Sequence, residues 1–439
     1  MGNDKMEWQG HALLGLRAAQ GLPAWEIAML KPDMSPEAIN RPYMPEIKSV
    51  TDKLGAFCLI LDWIYQKEFS AYCRQPNGRW IPHGPATDSY GSALSLTTNV
   101  AIIEEMLQKM IAALRAQDFE EAVRHAGVIG HFLQEPFTPG HSVDNMLFEE
   151  FFPDPDPTRH IRLHCYFDCA SGDFKPPKPH LMGRTIQEAA TWLLNEVRLG
   201  IREAKKMIEP VVRSVYRGDP DYVRKALLCR QSEWASFITA SAWHTAFCIA
   251  FDRFDSAETA GMDQTKLTNL LPFFWHPGHY THLLPGCLVD NKGHRIPIDV
   301  WALDKNGNKT ERRFEEGFGI YGHSGAKFYV NGVFSKLRFK LGMPSRKLDG
   351  QTEHADLHFA IEVDDKENTL FSEDIEYEAK NRVLELNLKA GETLREYEVD
   401  ISGAKTLIIS SRATPYTDEK GETRYSVPDL VIIEAVLIT

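Results

Sequence analysis

Two pairs of residues in the middle of the chain have the spacing at which an imidazole and a carboxylate share one face of a helix. They are His131 with Glu135 and His164 with Asp168, each four apart. Between them Pro136 and Pro139 interrupt any helix and throw His141 into a turn. Imidazole nitrogens and carboxylate oxygens together make a clamp for zinc or a similar divalent cation. A single pair of this kind is ordinarily a solvated ion pair on a helix surface. Here two clamps, an intervening histidine and a very apolar approach, Ala126–Phe132, coincide. His125 reads as a solvated residue outside the set, and His160 as an exposed residue that is able to substitute for His164.

The elements that must position these donors follow from the periodicity. Asn99–Ala116 places Ile102, Ile103, Met106, Met110, Ile111 and Leu114 on one stripe, and Gln117–Leu133 continues as a second helix entering through Asp118. Arg184–Tyr216 and Asp219–Phe251 read as two further long helices, separated by Gly218-Asp219-Pro220. After about residue 286 the period becomes two. Lys327–Val330, Lys336–Leu341, Asp356–Val363, Arg382–Leu388, Glu396–Ile401, Thr406–Ser410 and Leu430–Ile438 read as strands, with turn signals such as Asn331-Gly332 and Ser402-Gly403 between them. Such short strands suggest a β-sandwich. The expected organisation is a helical domain over 1–262, a linker over 263–285 and a β-sandwich over 286–439. The histidines of the linker, His276, His279 and His282, have no regular face and read as packed chain.

Composition narrows the class. The 439 residues carry a formal charge of -12, with 43% hydrophobic and 25% charged residues, which is ordinary for globular domains. Disordered and collagen-like chains are excluded. No apolar run reaches the ~18 residues of a transmembrane helix. The acidic balance argues against a surface that binds nucleic acid everywhere, though not against a local basic groove. Seven cysteines are too few for a disulfide scaffold, and the odd number leaves at least one thiol free.

The steps His131 to Glu135, to His141, to His164, to Asp168 are 4, 6, 23 and 4. In this spacing the chain resembles the superfamily of zinc-dependent phospholipases C and single-strand-specific nucleases. The start, Trp8-Gln-Gly-His11, is similar to that family's mature N-terminus. The resemblance implies an all-α domain with two or three zinc ions and metal-activated water as the nucleophile. His131 and Glu135 would bind one ion, and His141, His164 and Asp168 a second. Glu135 would bridge to a third, held by His11 and by the amino and carbonyl groups of Trp8. That last role requires Trp8 to be the mature N-terminus, with Met1–Glu7 as residual leader or cloning-derived sequence. The family's early Asp is best matched by Asp33, with Asp62 as runner-up. Its partner histidine is matched only by His83, at a different spacing. Asp33 and Glu135 carry over as the catalytic carboxylates, although Glu135 stands where the family has Asp. No nucleophile elbow, P-loop or dinucleotide fingerprint competes. Phe132, Phe137, Tyr166 and Phe167 lie near enough in sequence to contact a base or an acyl chain, and read equally as core.

Glu316–Ser324, with Phe328–Gly332 and Phe334–Phe339 after it, resembles the NPCBM family of carbohydrate-binding modules. That implies a galactose-binding-like jelly roll over 286–439 and a glycan as its partner. Gly317, Gly319 and Gly322 read as tight-turn positions, with His323 and Ser324 beside them. The chain as a whole is therefore expected to be a two-domain, all-α then β-sandwich hydrolase. It would cleave a phosphodiester, phospholipid or nucleic acid, and be secreted or periplasmic with its signal peptide missing from this sequence; a cytoplasmic location is the alternative. The alternative function is a non-catalytic, metal-containing glycan- or surface-binding protein with a degenerate site.

Overall fold

A computed structural model of the chain describes residues 4–30, 48–63, 67–75, 77–85, 96–142, 166–167, 170–276, 285–289, 294–320, 323–345, 356–364, 381–389, 391–413, 415–417, 420–425 and 430–439. Contacts divide it into two compact units, Met1–Ala260 and Gly261–Thr439.

The described part of the first unit is helical. Its helices are α1 (Asp4–Gly21), α2 (Ala24–Met29), α3 (Val50–Phe57), α4 (Leu96–Arg115), α5 (Phe119–Gln134), α6 (Ile186–Lys205), α7 (Ile208–Tyr216), α8 (Asp221–Leu227), α9 (Cys229–Phe251) and α10 (Ser256–Thr259). The expected stripe on α4 is buried in full: Ile102, Ile103, Met106, Met110, Ile111 and Leu114. Asp118 caps α5, its side chain accepting from the Glu121 N–H. Arg184–Tyr216, expected as one helix, is two. Pro210 has no N–H for the carbonyl four residues back, so the helix ends at Lys205 and restarts at Ile208, where an absent donor costs nothing. Asp219–Phe251 is likewise split, at Leu228.

Close helix crossings set the geometry around α3. A Cβ on Gly127 of α5 would lie 2.3 Å from the Phe57 carbonyl oxygen, and one on Gly55 would lie 2.8 Å from the Ala12 oxygen on α1. Only glycine allows these backbones to approach so closely. The consequence is that α1 and α5 both press on the end of α3, where the chain tightens into the 3-10 turn Ile60–Trp63.

The second unit holds two five-stranded antiparallel sheets. In the first, Gln264–Lys266, Leu430–Ile438, Lys336–Gly342 and Arg395–Asp400 lie in that order, with Gly317–Ile320 also pairing with Leu430–Ile438. The second runs Arg382–Leu388, Leu357–Asp364, Thr406–Ala413, His323–Tyr329, Phe274–His276. Phe339 of one sheet meets Phe359 of the other with ring centroids 6.1 Å apart, which makes the pair a sandwich with an apolar interior. Asn331 and Gly332 both have positive φ, 51° and 70°, the tight turn expected of that dipeptide.

Two expectations change here. Residues 264–266 and 274–276, read as part of a linker, are edge strands, one in each sheet. His276 accordingly sits in a strand opposite Gly325, while His279 and His282 lie outside the described residues. Gly317 and Gly319, read as turn positions, lie in a strand. Gly317 has φ +152°, and a Cβ there would lie 2.5 Å from the Ile432 oxygen; one on Gly319 would meet Leu288 at 2.7 Å, so close packing is what demands glycine. Gly322 is outside the described residues. His323 opens a strand, and Ser324 beside it is fully buried.

Candidate metal centre

Six of the residues singled out above meet in one cluster of the helical unit. His11 comes from α1. His131 lies on the last turn of α5, and Glu135 is its C-cap, still in helical backbone with its N–H on the His131 carbonyl. Pro136 then turns the chain into the short 3-10 helix Glu135–Phe137, and a second one, Pro139–Ser142, carries His141. Asp62 sits in the 3-10 turn after α3, and His83 follows the isolated bridge between Arg74 and Trp80.

Glu135 is the hub. Its Oε2 is 3.0 Å from His11 Nε2 and 3.7 Å from His131 Nε2, and its Oε1 is 2.7 Å from His141 Nδ1. The rings of His11 and His131 stack at 3.9 Å, and His83 meets His131 edge-on at 5.5 Å. Asp62 and His83 form a second group, 3.7 Å apart. Although Asp62 also lies 3.9 Å from His131 Nδ1, that nitrogen is committed elsewhere.

The commitment fixes which lone pairs are on offer. His131 Nδ1 is 2.7 Å from the Cys58 carbonyl, an acceptor, so Nδ1 carries the proton and donates. Its Nε2 is then a lone pair, buried and with no hydrogen-bond partner among the described residues. For His11 the same follows from a relay. Thr239 Oγ1 donates to the Ala235 carbonyl at 2.8 Å, which leaves its oxygen as an acceptor for Gln134 Nε2 at 3.3 Å. The amide oxygen of Gln134 therefore faces His11 Nδ1, 2.9 Å away, and accepts from it. Both imidazoles thus turn Nε2 toward Glu135. Metal-ligating histidines are held this way, by a hydrogen bond on the far nitrogen.

Charge follows the same pattern. Burial lowers the pKa of His131 well below the ordinary value, and the charge on His11 adds to the effect, so the ring is neutral. Burial opposes charge on His11 too, but the hydrogen bond and charge of Glu135, with Asp62 assisting, outweigh it and raise the pKa to about 9. Burial would raise the Glu135 pKa, yet the adjacent His141 and His11 hold it well below the usual carboxylate range. Glu135 is therefore an anion beside a protonated His11.

A cavity of about 300 Å³ opens onto this cluster. Its lining includes His11, Asp62, His83, Glu135 and His141 and the apolar Leu14, Phe137, Phe167 and Leu228.

No protein-family model matches the chain, and no curated protein matches it. Among solved structures, the Clostridium perfringens alpha-toxin from an avian strain is similar over 96% of this chain and 97% of its own, at 11% identity and a TM-score of 0.30. The M60 catalytic domain of C. perfringens ZmpB with its CBM51-1 and CBM51-2 domains matches 40% of this chain, at 12% identity and a TM-score of 0.28. The CBM51 of C. perfringens GH95, in complex with methyl-galactose, matches 40% of this chain and 99% of its own, at 15% identity and a TM-score of 0.27. The chain spans only 15% of that ZmpB structure and 31% of a second one, which holds the CBM51-2 and INT domains of the same protein.

Of the expected donors, His11, His83, His131, Glu135 and His141 are brought together. Asp33, His164 and Asp168 lie outside the described residues. Trp8 falls within α1, so its nitrogen is here a peptide nitrogen without a lone pair for a cation. Among the described residues, Asp62, the runner-up from sequence, is the carboxylate beside His83. His125 stands apart, 3.3 Å from Glu121. Phe132 is core, whereas Phe137 and Phe167 are buried yet line the cavity. Gln134, Thr239 and the Cys58 carbonyl escaped sequence reading. The signal for Gln134 was its place beside Glu135 at the end of an apolar helix.

Proposed function

We propose that the helical unit is a metal-dependent hydrolase of phosphodiester bonds, of phospholipase C or nuclease type, and that the sandwich binds a glycan. The observation that carries the first part is the buried Nε2 of His131, without a hydrogen-bond partner among the described residues and facing Glu135. A neutral nitrogen lone pair placed there without a donor is costly unless something electrophilic fills the space. The donor set fits zinc: His11, His131, Glu135 and His141 would hold one or more ions, and Asp62 with His83 a further one, for the two or three implied by the resemblance to the zinc phospholipase C and nuclease superfamily. Bound there, a divalent cation supplies Lewis acidity toward a phosphoryl oxygen and lowers the pKa of water.

The residues of the chain do the rest. Glu135 fixes the spacing between three imidazoles. Gln134 and the Cys58 carbonyl hold two of those rings in one tautomer and orientation. Phe137 and Phe167 give the cavity an apolar lining that limits water. Support for the sandwich reading is the likeness of Glu316–Phe339 to carbohydrate-binding modules. Secretion, with cleavage that frees the Trp8 amine, belongs to the same proposal.

The test is hydrolysis of bis-p-nitrophenyl phosphate by the zinc-loaded chain, with phosphatidylcholine vesicles and single-stranded DNA as the natural-substrate arms. Glu135→Gln should lower turnover by at least 10²-fold at unchanged fold. An inactive wild-type chain that nevertheless binds zinc would leave the glycan-binding protein with a degenerate centre as the correct reading.

A further inference from the structure

A second group of donors lies in the helical unit, apart from the Glu135 hub. His244 and Cys248 stand four apart on α9 and share a face. Glu26 reaches them from α2 and Glu258 from α10. Glu26, His244 and Cys248 are buried. His244 Nδ1 is 2.5 Å from Glu26 Oε1, and its Nε2 is 3.2 Å from Glu258 Oε2. Cys248 Sγ lies 3.8 and 3.6 Å from the two ring nitrogens. One donor atom each from Glu26, His244 and Cys248 falls within 4.8 Å of the others.

Two features make this more than a buried ion pair. One imidazole faces two carboxylates, so a single proton on His244 leaves the group negative. Glu26 Oε2 is also buried, with no hydrogen-bond partner among the described residues, in a residue that is fully enclosed. The surroundings are apolar: Trp25 meets Phe247 and Phe251 edge-on at 6.0 and 6.5 Å. Arg253, stacked 4.3 Å over Trp25, is the nearby cation. Donors about 2.0–2.3 Å from a zinc ion stand roughly 3–4 Å from one another, which the sulfur-to-nitrogen separations already match. The Nδ1 to Oε1 contact is shorter, a hydrogen bond that the ion would replace.

We infer that Glu26, His244 and Cys248 form a second divalent-cation site, of the sulfur-containing kind that suits zinc, with the ion on Nδ1 of His244 and Glu258 accepting from its Nε2–H, which fastens α2 and α10 to α9. On loading, the His244 imidazolium proton and the Cys248 thiol proton leave as the cation enters. The site is separate from the hub: Ala235 of α9 lines the hub cavity, and His244 lies about 13 Å further along the helix axis.

The thiolate distinguishes it, because no hub donor is a cysteine. The full chain loaded with cobalt(II) should show a thiolate-to-cobalt charge-transfer band in the near ultraviolet. Cys248→Ser should abolish the band and remove one metal equivalent per chain, while His131→Ala should leave the band in place. A folded, cobalt-loaded wild-type chain without the band, a band that survives Cys248→Ser, or equal metal content in the two would overturn the inference. Should Cys248→Ser not fold, X-ray absorption on the zinc-loaded wild-type chain decides the matter. A sulfur neighbour at about 2.3 Å is the expected result, and a shell of nitrogen and oxygen alone contradicts it.

Discussion

At Gln134 a neutral amide decides which nitrogen His11 presents. Its oxygen is fixed toward His11 only because Thr239 uses its own proton on the Ala235 carbonyl. Gln134→Leu keeps the size and removes the acceptor, so His11 loses its tautomer lock. Zinc affinity should fall about 10–100-fold, the usual effect of removing such a hydrogen bond, measured by competition with a chromophoric chelator. Unchanged affinity would mean the relay is incidental. Thr239→Val acts one step further out and should weaken zinc less. The candidate metal donors were partly legible in the sequence, since His131 and Glu135 sit at helical spacing and His141 follows the prolines that must turn the chain. Gln134 was not, because its partner is 123 residues away and an amide carries no motif. Asp62 illustrates the same limit: that it lies beside His83 depends on how the turn after α3 folds.

At the scale of elements, the centre depends on how closely α1, α3 and α5 approach. Gly127→Ala would drive a methyl group into the Phe57 carbonyl, 2.3 Å from the ideal Cβ position, in a crossing with backbone on both sides. We expect a loss of about 1–3 kcal/mol, as for other overpacked interiors, together with weakened zinc binding, because Cys58 O and His131 ride on those two helices. Calorimetry with zinc titration checks both, and a variant as stable as wild type would show that the crossing relaxes freely. In the sandwich, Gly332→Ala places a side chain at φ 70° in a tight turn and should cost roughly 1 kcal/mol. A midpoint in urea equal to wild type contradicts the turn assignment. Strand and helix types were readable from period, and Arg382–Leu388 and Leu430–Ile438 have the expected bounds. Edge strands such as Gln264–Lys266 were not. Three residues are too few for a period to register, and their pairing is set by the neighbour they lie against.

The whole molecule is two units with different dependences. The expected cation donors described above all belong to Met1–Ala260, whereas Gly261–Thr439 is held by apolar packing such as that between Phe339 and Phe359. Ligand that binds only the native state stabilises by mass action, about 2.7 kcal/mol at a hundred times its dissociation constant. Chelation should therefore lower the unfolding temperature of the helical unit and leave the second transition unmoved in differential scanning calorimetry. A uniform shift of both, or of neither, would contradict this division. The order of a helical part and a β part was plain in the sequence from the change of period near residue 286. Which of the helical segments converge on one cavity was not, because that depends on crossings made by single glycines. The most direct measurement is a crystal structure grown with zinc, with anomalous data collected on both sides of the zinc edge. The account predicts a peak about 2.0–2.1 Å from His131 Nε2, shared with Glu135. Crystals containing zinc but no anomalous density at that nitrogen would contradict it.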